Sequence, residues 1–356
     1  MDIYWVWMSL VKYTGPVLQK RLLEEFGTPE AVYHASLEEL QSIRGISKRA
    51  VLSILDNRDL MDDARSILQS CEKKGIQLLK YSDPLYPLDA KNCKESPILF
   101  YFKGNLQKIT QSVGVVGSRR CTAYGRRIAE ELGRELAVQG IPYISGFAKG
   151  IDSYGQAACI SQGGYSVSFL AGGVDVCYPP EQKGLYRSVL ENGGVFLSQH
   201  PPGTKPFPIQ FVQRNSFISA WSSELVIVEA GEKSGALWTA DFALKQGKTV
   251  YSVPHPIYSL EGKGCNNLFT KGAVPYLGKE SLEVLRTTKN AGNSTSKREQ
   301  NQELDPIIQL LSSQTSAAIS SLMQTLNMNE STAMDRLFAL ELKGKIIIRG
   351  DIVSLL

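Results

Sequence analysis

The sequence predicts an α/β protein. Its centre is a Rossmann-like, doubly wound, mostly parallel sheet, flanked by a helical N-terminal domain and a winged-helix-like C-terminal domain. Three observations lead there. Short β-branched apolar runs alternate with helix-period runs from residue 113 to residue 253, the pattern of buried parallel strands joined by crossover helices. Two of these runs end in Gly-rich turns that carry a cation and feed a helix, Val113-Gly-Val-Val-Gly-Ser-Arg-Arg120 and Ile144-Ser-Gly-Phe-Ala-Lys-Gly-Ile-Asp152. At 356 residues the chain is also too long for one ordinary core, so two or three domains are expected.

Residues 1–75 read as a helical domain. Gly15-Pro16 opens a helix with proline at its first position; Leu18, Leu22, Leu23 and Phe26 follow at helical spacing, and Gly27 stops it. Ser36-Leu-Glu-Glu39 is a capping box. The turn Ile43-Arg-Gly-Ile-Ser47 joins two helices in the manner of a SAM or helix-hairpin-helix unit, whose turn can offer backbone N–H groups to a phosphate. Ser47 stands where that hairpin usually has its second glycine, which favours a plain packing module.

Residues 76–285 carry the sheet. A Pro-containing connection holds one apolar strand, Ile98–Phe102, and six more follow: Val113–Val116, Tyr143–Ser145, Val167–Leu170, Val195–Leu197, Leu225–Val228 and Val250–Val253. Ile128, Leu132 and Leu136 at i, i+4, i+8 mark one intervening helix, and Trp238 and Phe242 mark another. Residues 286–303 lose their apolar content and read as a flexible linker. Residues 304–356 show three helix patterns and two apolar runs flanking Arg349-Gly-Asp351, a hairpin signal, which together make a winged-helix pattern. Such modules often bind DNA, but the third helix pattern carries Glu330, Asp335, Arg336 and Glu341 and is not basic, so a protein-contact or regulatory role fits it as well.

Composition excludes several classes. A hydrophobic fraction of 43% and a charged fraction of 21% are those of a soluble globular protein, and a net charge of +4 permits nucleic-acid binding without arguing for it. None of the six cysteines falls in a C-x-x-C pair and the chain has three histidines, so zinc-site and disulfide-framework spacings are missing. No metal or cofactor is expected, and the thiols read as reduced in a cytoplasmic protein. The apolar start Met1–Leu10 is short and lacks a cationic segment, and no apolar run reaches the roughly 18 residues of a membrane span.

The chemistry-bearing residues cluster in the turns. Gly117 permits close backbone approach, Ser118 and the N–H groups after it suit phosphate oxygens, and Arg119 beside Arg120 can fork onto them. Gly146 and Lys149 repeat the arrangement after the next strand, with Asp152 as a local helix cap. Asp175, which closes the Gly-Gly turn after the third strand, reads as structural. Pro206–Asn215 interleaves aromatic with polar and basic groups: Gln213, Arg214 and Asn215 suit backbone and base edges, and Phe207, Phe211 or Phe217 could stack a base, although core filling is the commoner fate of any one phenylalanine. Lys233-Ser-Gly235 forms a fourth anion nest. Arg126 and Arg127 read as a solvated face. There is no G-x-x-x-x-G-K-[ST], G-x-G-x-x-G or G-x-S-x-G, and no nucleophile or general base accompanies the turns. The first reading is therefore binding of a phosphate chain rather than bond-breaking.

In order along the chain, GSRR (117–120), SGFAKGID (145–152), AGGVDVCYP (171–179), QRN (213–215), VEAGEKSGALWTADFAL (228–244) and GCNNLFTKGA (264–273) resemble the DNA-processing protein A (DprA/Smf) family. The resemblance implies a non-enzymatic protein that binds single-stranded DNA as a homodimer and helps load the RecA recombinase, notably in natural transformation. It also implies that Gly117, Ser118 and Arg119 contact the DNA backbone, with Lys149, Arg214, Asn215 and Lys233 completing a basic pocket. Three positions depart from the family's pattern: Gln213 where a basic residue is frequent, Ser216 where an arginine or large side chain is, and His255 where Val-Pro-Gly is usual. The alternative is a nucleotide-ligand enzyme or sensor of the related phosphoribohydrolase-like class, with Glu229 as its acid. That class carries Pro-Gly-Gly-x-Gly-Thr, whereas this chain has Ala171-Gly-Gly-Val-Asp175. A pure interaction scaffold would leave the cationic turns unexplained.

Overall fold

In the computed structural model, which describes residues 2–286, 306–314, 316–326, 328–329, 332–334, 336–337, 340 and 346–355, the chain opens on six helices. They are α1 (Asp2–Leu10), α2 (Pro16–Phe26), α3 (Pro29–His34), α4 (Leu37–Ser42), α5 (Lys48–Asp56) and α6 (Met61–Lys74). Their ends follow local chemistry. Pro16 starts α2 and Gly27, at φ 78°, ends it; Ser36 and Glu39 exchange both hydrogen bonds of a capping box at α4. The helices do not fold around themselves alone. Val6, Trp7, Leu22 and Ile54 share one buried cluster with Leu99, Tyr101 and Phe196 of the sheet.

The sheet follows: β1 (Gln77–Lys80), α7 (Leu88–Asn92), β2 (Leu99–Gly104), β3 (Val113–Val116), α8 (Ala123–Val138), β4 (Tyr143–Ser145), α9 (Ile151–Ser161), β5 (Ser166–Phe169), α10 (Lys183–Glu191), β6 (Val195–Ser198), α11 (Pro208–Trp221), β7 (Glu224–Ile227), α12 (Ala236–Lys245), β8 (Thr249–Ser252), α13 (Lys263–Phe269) and β9 (Val274–Pro275). The nine strands lie in the order β1-β2-β6-β5-β4-β3-β7-β8-β9. Pairing is parallel from β6 through β9 and antiparallel for β1–β2 and β2–β6. This is the doubly wound sheet the sequence predicts, with strand ends shifted by a residue or so. Two edge strands escape the pattern: β1 is Gln-Leu-Leu-Lys with no alternation, and β9 is two residues long.

Residues 291–356 form a second compact unit. It contains α14 (Pro306–Gln314), β10 (Ser316–Ala318), α15 (Ile319–Thr325), β11 (Ile346–Arg349) and β12 (Ile352–Leu355), with strands in the order β10-β12-β11. Gly350 at φ 61° turns the β11–β12 hairpin, and Ile307, Leu311, Leu322, Ile346 and Val353 form its core. The described residues between 332 and 340 are helical. The linker segment 287–303 lies outside the described residues, as do Glu330, Asp335 and Glu341.

The topology decides where a ligand fits. From β3 the chain winds outward through β4, β5 and β6, then returns to pair β7 on the other side of β3. The connections leaving β3 and β7 therefore diverge and open a crevice at the carboxyl ends of those strands, the usual ligand position in such sheets. Behind β3, α8 and α9 cross in near contact. A side chain at Gly133 would strike the carbonyl of Gly155, and one at Gly155 would strike the Tyr143 hydroxyl. Gly133→Ala should therefore destabilise the fold by about 1–3 kcal/mol through overpacking, against a helix-propensity gain of up to about 1 kcal/mol. A urea titration showing an unchanged or raised midpoint would contradict this crossing.

Candidate functional site

The site begins with the backbone of one residue, Ser118. Leaving β3, the N–H of Ser118 donates to the carbonyl of Glu229 after β7 (2.7 Å), and the carbonyl of Ser118 accepts from the N–H of Ile151 at the start of α9 (3.2 Å). Close approach on both sides needs glycine. A side chain at Gly150, itself at φ 82°, would collide with the Ser118 carbonyl, and one at Gly117 would lie 2.7 Å from Ile151. The fully buried carboxylate of Glu229 completes the junction by accepting from the N–H (3.0 Å) and hydroxyl of Thr122, the residue that caps α8. Three turns are thereby fixed to one another. The Ser118 N–H is consumed in this locking, and the Ser118 Oγ accepts from the N–H of Arg120 (3.2 Å).

Beneath these turns lies a buried arginine. Arg214, on the first half of α11, is 5% exposed, and its Nη1 donates to the carbonyl of Phe169 (3.1 Å) at the end of β5. Its guanidinium packs on Gly146, where any side chain would collide with it. Asp152 faces it. The Asp152 carboxylate does not cap α9 as the sequence suggests; it turns back and accepts from the N–H groups of Gly146 (3.1 Å) and Ala148 (3.3 Å). Burial pushes the Asp152 carboxyl up, against the pull of Arg214 and the loop amides, and burial brings the Arg214 guanidinium down to about 10, so it remains charged at neutral pH. The loop between them is further fixed by Phe147, which holds left-handed backbone (φ 55°) with its ring buried against Tyr186 and Phe196.

Above this base are two adjoining cavities that share Arg119, Ala148, Phe211 and Arg214 in their walls. The first, of about 270 Å³, adds Gly146, Lys149, Tyr178 and Glu181; the second, of about 610 Å³, adds Gly117, Ser118, Arg120, Asn215, Lys233 and Trp238. Arg119, Arg120 and Lys233 are exposed and form no ion pair among the described residues. The Arg119 guanidinium lies 5.4 Å from the centre of the Phe211 ring. Lys149 is different: its ammonium is paired with Glu181 (2.9 Å) across the rim of the first cavity.

A model of the family described as DNA recombination-mediator protein A matches residues 77–286, all of the sheet domain. The chain belongs to that family. Protein Smf of Synechocystis is 32% identical over 284 residues, 78% of this chain and 71% of that protein. DNA processing protein DprA of Streptococcus pneumoniae is 33% identical over 67% of this chain and 82% of its own length. Among solved structures, DprA from Streptococcus pneumoniae superposes with a TM-score of 0.69 at 27% identity, over 80% of this chain and 98% of that one. DNA processing protein A from Helicobacter pylori, a structure described for its single-stranded DNA binding mode, superposes with a TM-score of 0.53 at 25% identity, over 62% of this chain and 96% of that one.

Within this site, the sequence-derived candidates separate by position. Gly117, Ser118, Arg119, Arg120, Gly146, Lys149, Arg214, Asn215 and Lys233 all line one of the two cavities. Two do not. Phe217 is 2% exposed, edge-on to Phe100 (5.2 Å) in the core, because the buried face of α11 turns it under the sheet; of the three phenylalanines weighed for stacking, Phe211 faces the cavities. Gln213 is exposed outside them and accepts from Gln199 (3.0 Å). Asn215 donates to the Gly235 carbonyl (3.0 Å), tying α11 to the Lys233 turn. Arg126 and Arg127 pair with Glu130 and Glu131, and Asp175 holds Lys74 (2.6 Å) and the Gly203 N–H. The departures from the family's pattern are accommodated: Ser216 is buried and donates to the Gln213 carbonyl, and His255 sits between the Tyr124 ring and Gly262. Tyr178, Glu181 and Trp238 join the cavity walls unforeseen.

Asp152→Ala should leave two loop amides unpaired and a buried guanidinium uncompensated, costing about 3 kcal/mol or more. Arg119→Ala should stay within about 0.5 kcal/mol of the parent. Equal urea midpoints for the two variants would contradict the division into a structural base and an exposed binding rim.

Proposed function

We propose that the chain is a non-enzymatic recombination mediator that binds single-stranded DNA in the crevice between β3 and β7. The observation that carries this reading is the set of unpaired cations, Arg119, Arg120 and Lys233, converging on cavities that also present the Phe211 ring. Cations on a rigid rim neutralise backbone phosphates, and an aromatic face takes a base of any identity. That combination suits a single strand better than a duplex, whose bases are already stacked. The Helicobacter pylori relative's described single-stranded DNA binding supports the same assignment.

The alternative of a nucleotide-ligand enzyme finds less support. Its candidate acid, Glu229, is buried and occupied by Thr122. The backbone amide that a pyrophosphate would use at Ser118 is already bonded. We further assign to the chain, on its family membership, action as a homodimer in the cytoplasm that helps load RecA during natural transformation. No helix among the described residues is long and apolar enough to cross a membrane.

Fluorescence anisotropy with labelled oligo-dT and its duplex form, across a salt series, tests the binding. The single strand should bind more tightly, with affinity falling steeply as salt rises. Arg119→Ala should weaken it and reduce the slope of log K against log salt by about 0.7, one phosphate contact. Glu181→Gln should release Lys149 and raise affinity about two- to fivefold at low salt. No binding at low salt, or an unaltered slope in folded Arg119→Ala, would sink the assignment. Stimulation of RecA ATPase on DNA already coated by a single-strand binding protein tests the loading step, and its absence would remove RecA from the account.

A further inference from the structure

We propose that Trp238 is a base-stacking platform on the outer wall of the crevice, which extends the path of the strand beyond Phe211 and Lys233. The inference rests on the function proposed above and assigns it a residue whose sequence context reads only as part of a helix face.

Trp238 lies in the first turn of α12 and is 54% exposed. Leaving half an indole in water forfeits burial of the largest apolar side chain, and helix packing does not require it here. The inward face of α12 is made by Ala236, Thr239, Ala240 and Ala243, which are buried. Trp238 instead lines the larger cavity, together with Arg119, Phe211 and Lys233. Among the described residues lining this cavity the one carboxylate is that of Asp152, which is engaged by the N–H groups of Gly146 and Ala148. Glu232 is held by Lys263 (3.0 Å), and Asp152 is buried beneath Arg214. An aromatic face flanked by free cations matches the chemistry of a nucleotide, with the base on the indole and the phosphate on Lys233. The matching occupant is an unpaired base of a single strand, since a base within a duplex cannot present its face to the indole.

The remaining tryptophans make the idea directly readable. Trp5 and Trp7 belong to α1, and Trp221 is 2% exposed in the core. A base stacking on Trp238 should quench tryptophan emission when the full chain is titrated with oligo-dT. Trp238→Leu should abolish that quench and lower oligo-dT affinity about 5- to 150-fold. Trp238→Tyr should retain most of the affinity, and an abasic deoxyribose-phosphate chain should bind the parent and Trp238→Leu alike. Thermal melts of the variants control for folding, which an exposed position leaves near the parent value. Unchanged oligo-dT affinity in Trp238→Leu, while Arg119→Ala still loses binding, would overturn this inference and leave the proposed function intact. Failure of the parent chain to bind would overturn both.

Discussion

The backbone N–H and carbonyl of Ser118 are the constraint on which the site depends. The N–H bonds to the turn after β7 and the carbonyl to the first residue of α9, and Glu229 ties the same junction to α8. Buried backbone groups must be paired, so these bonds hold three turns at fixed separation without any ligand. The cost is that the site gives up part of the backbone nest that many Rossmann-like folds aim at a pyrophosphate. What remains to meet an anion is a rim of side chains: Arg119, Arg120 and Lys233. Side chains on a rigid turn adapt to successive phosphates more readily than a closed cradle of amides does, which agrees with a polymer as ligand rather than one nucleotide.

Arg214 has a different part. Its charge is buried, largely shielded from salt, and balanced by Asp152 rather than by solvent. Beneath the crevice the two groups form a fixed structural base, while the exposed cations above it supply contacts that salt can screen. Two layers of charge thus separate architecture from affinity. Lys149 adds a modulating element, because the carboxylate of Glu181 already occupies the ammonium that a phosphate would otherwise reach.

Much of this was legible in the residues themselves. Short β-branched runs located β3 through β8, because strands buried on both faces leave a continuous apolar signature, and the Gly-cation turns marked the strand ends that line the cavities. Three features were not legible. Phe217 and Phe211 are both aromatics on one helix, and only the register of α11 against the sheet sends the first into the core and the second into the crevice. The partner of the Ser118 N–H cannot be read locally, since it lies 111 positions away, at Glu229. Asp152 follows a glycine at a helix start, the pattern of a cap, but a buried arginine from a distant helix and the loop amides claim its carboxylate. In each case a long-range contact overrode the local signal.

The most direct test of the central claim is to photocrosslink the full chain to an oligo-dT carrying 5-iodo-deoxyuridine and map the attached peptides by mass spectrometry. The account predicts attachment within 206–214 and 233–239, the segments that carry Phe211 and Trp238. Attachment confined to the helical segment 2–74 or to residues 306–355 would contradict a binding site between β3 and β7.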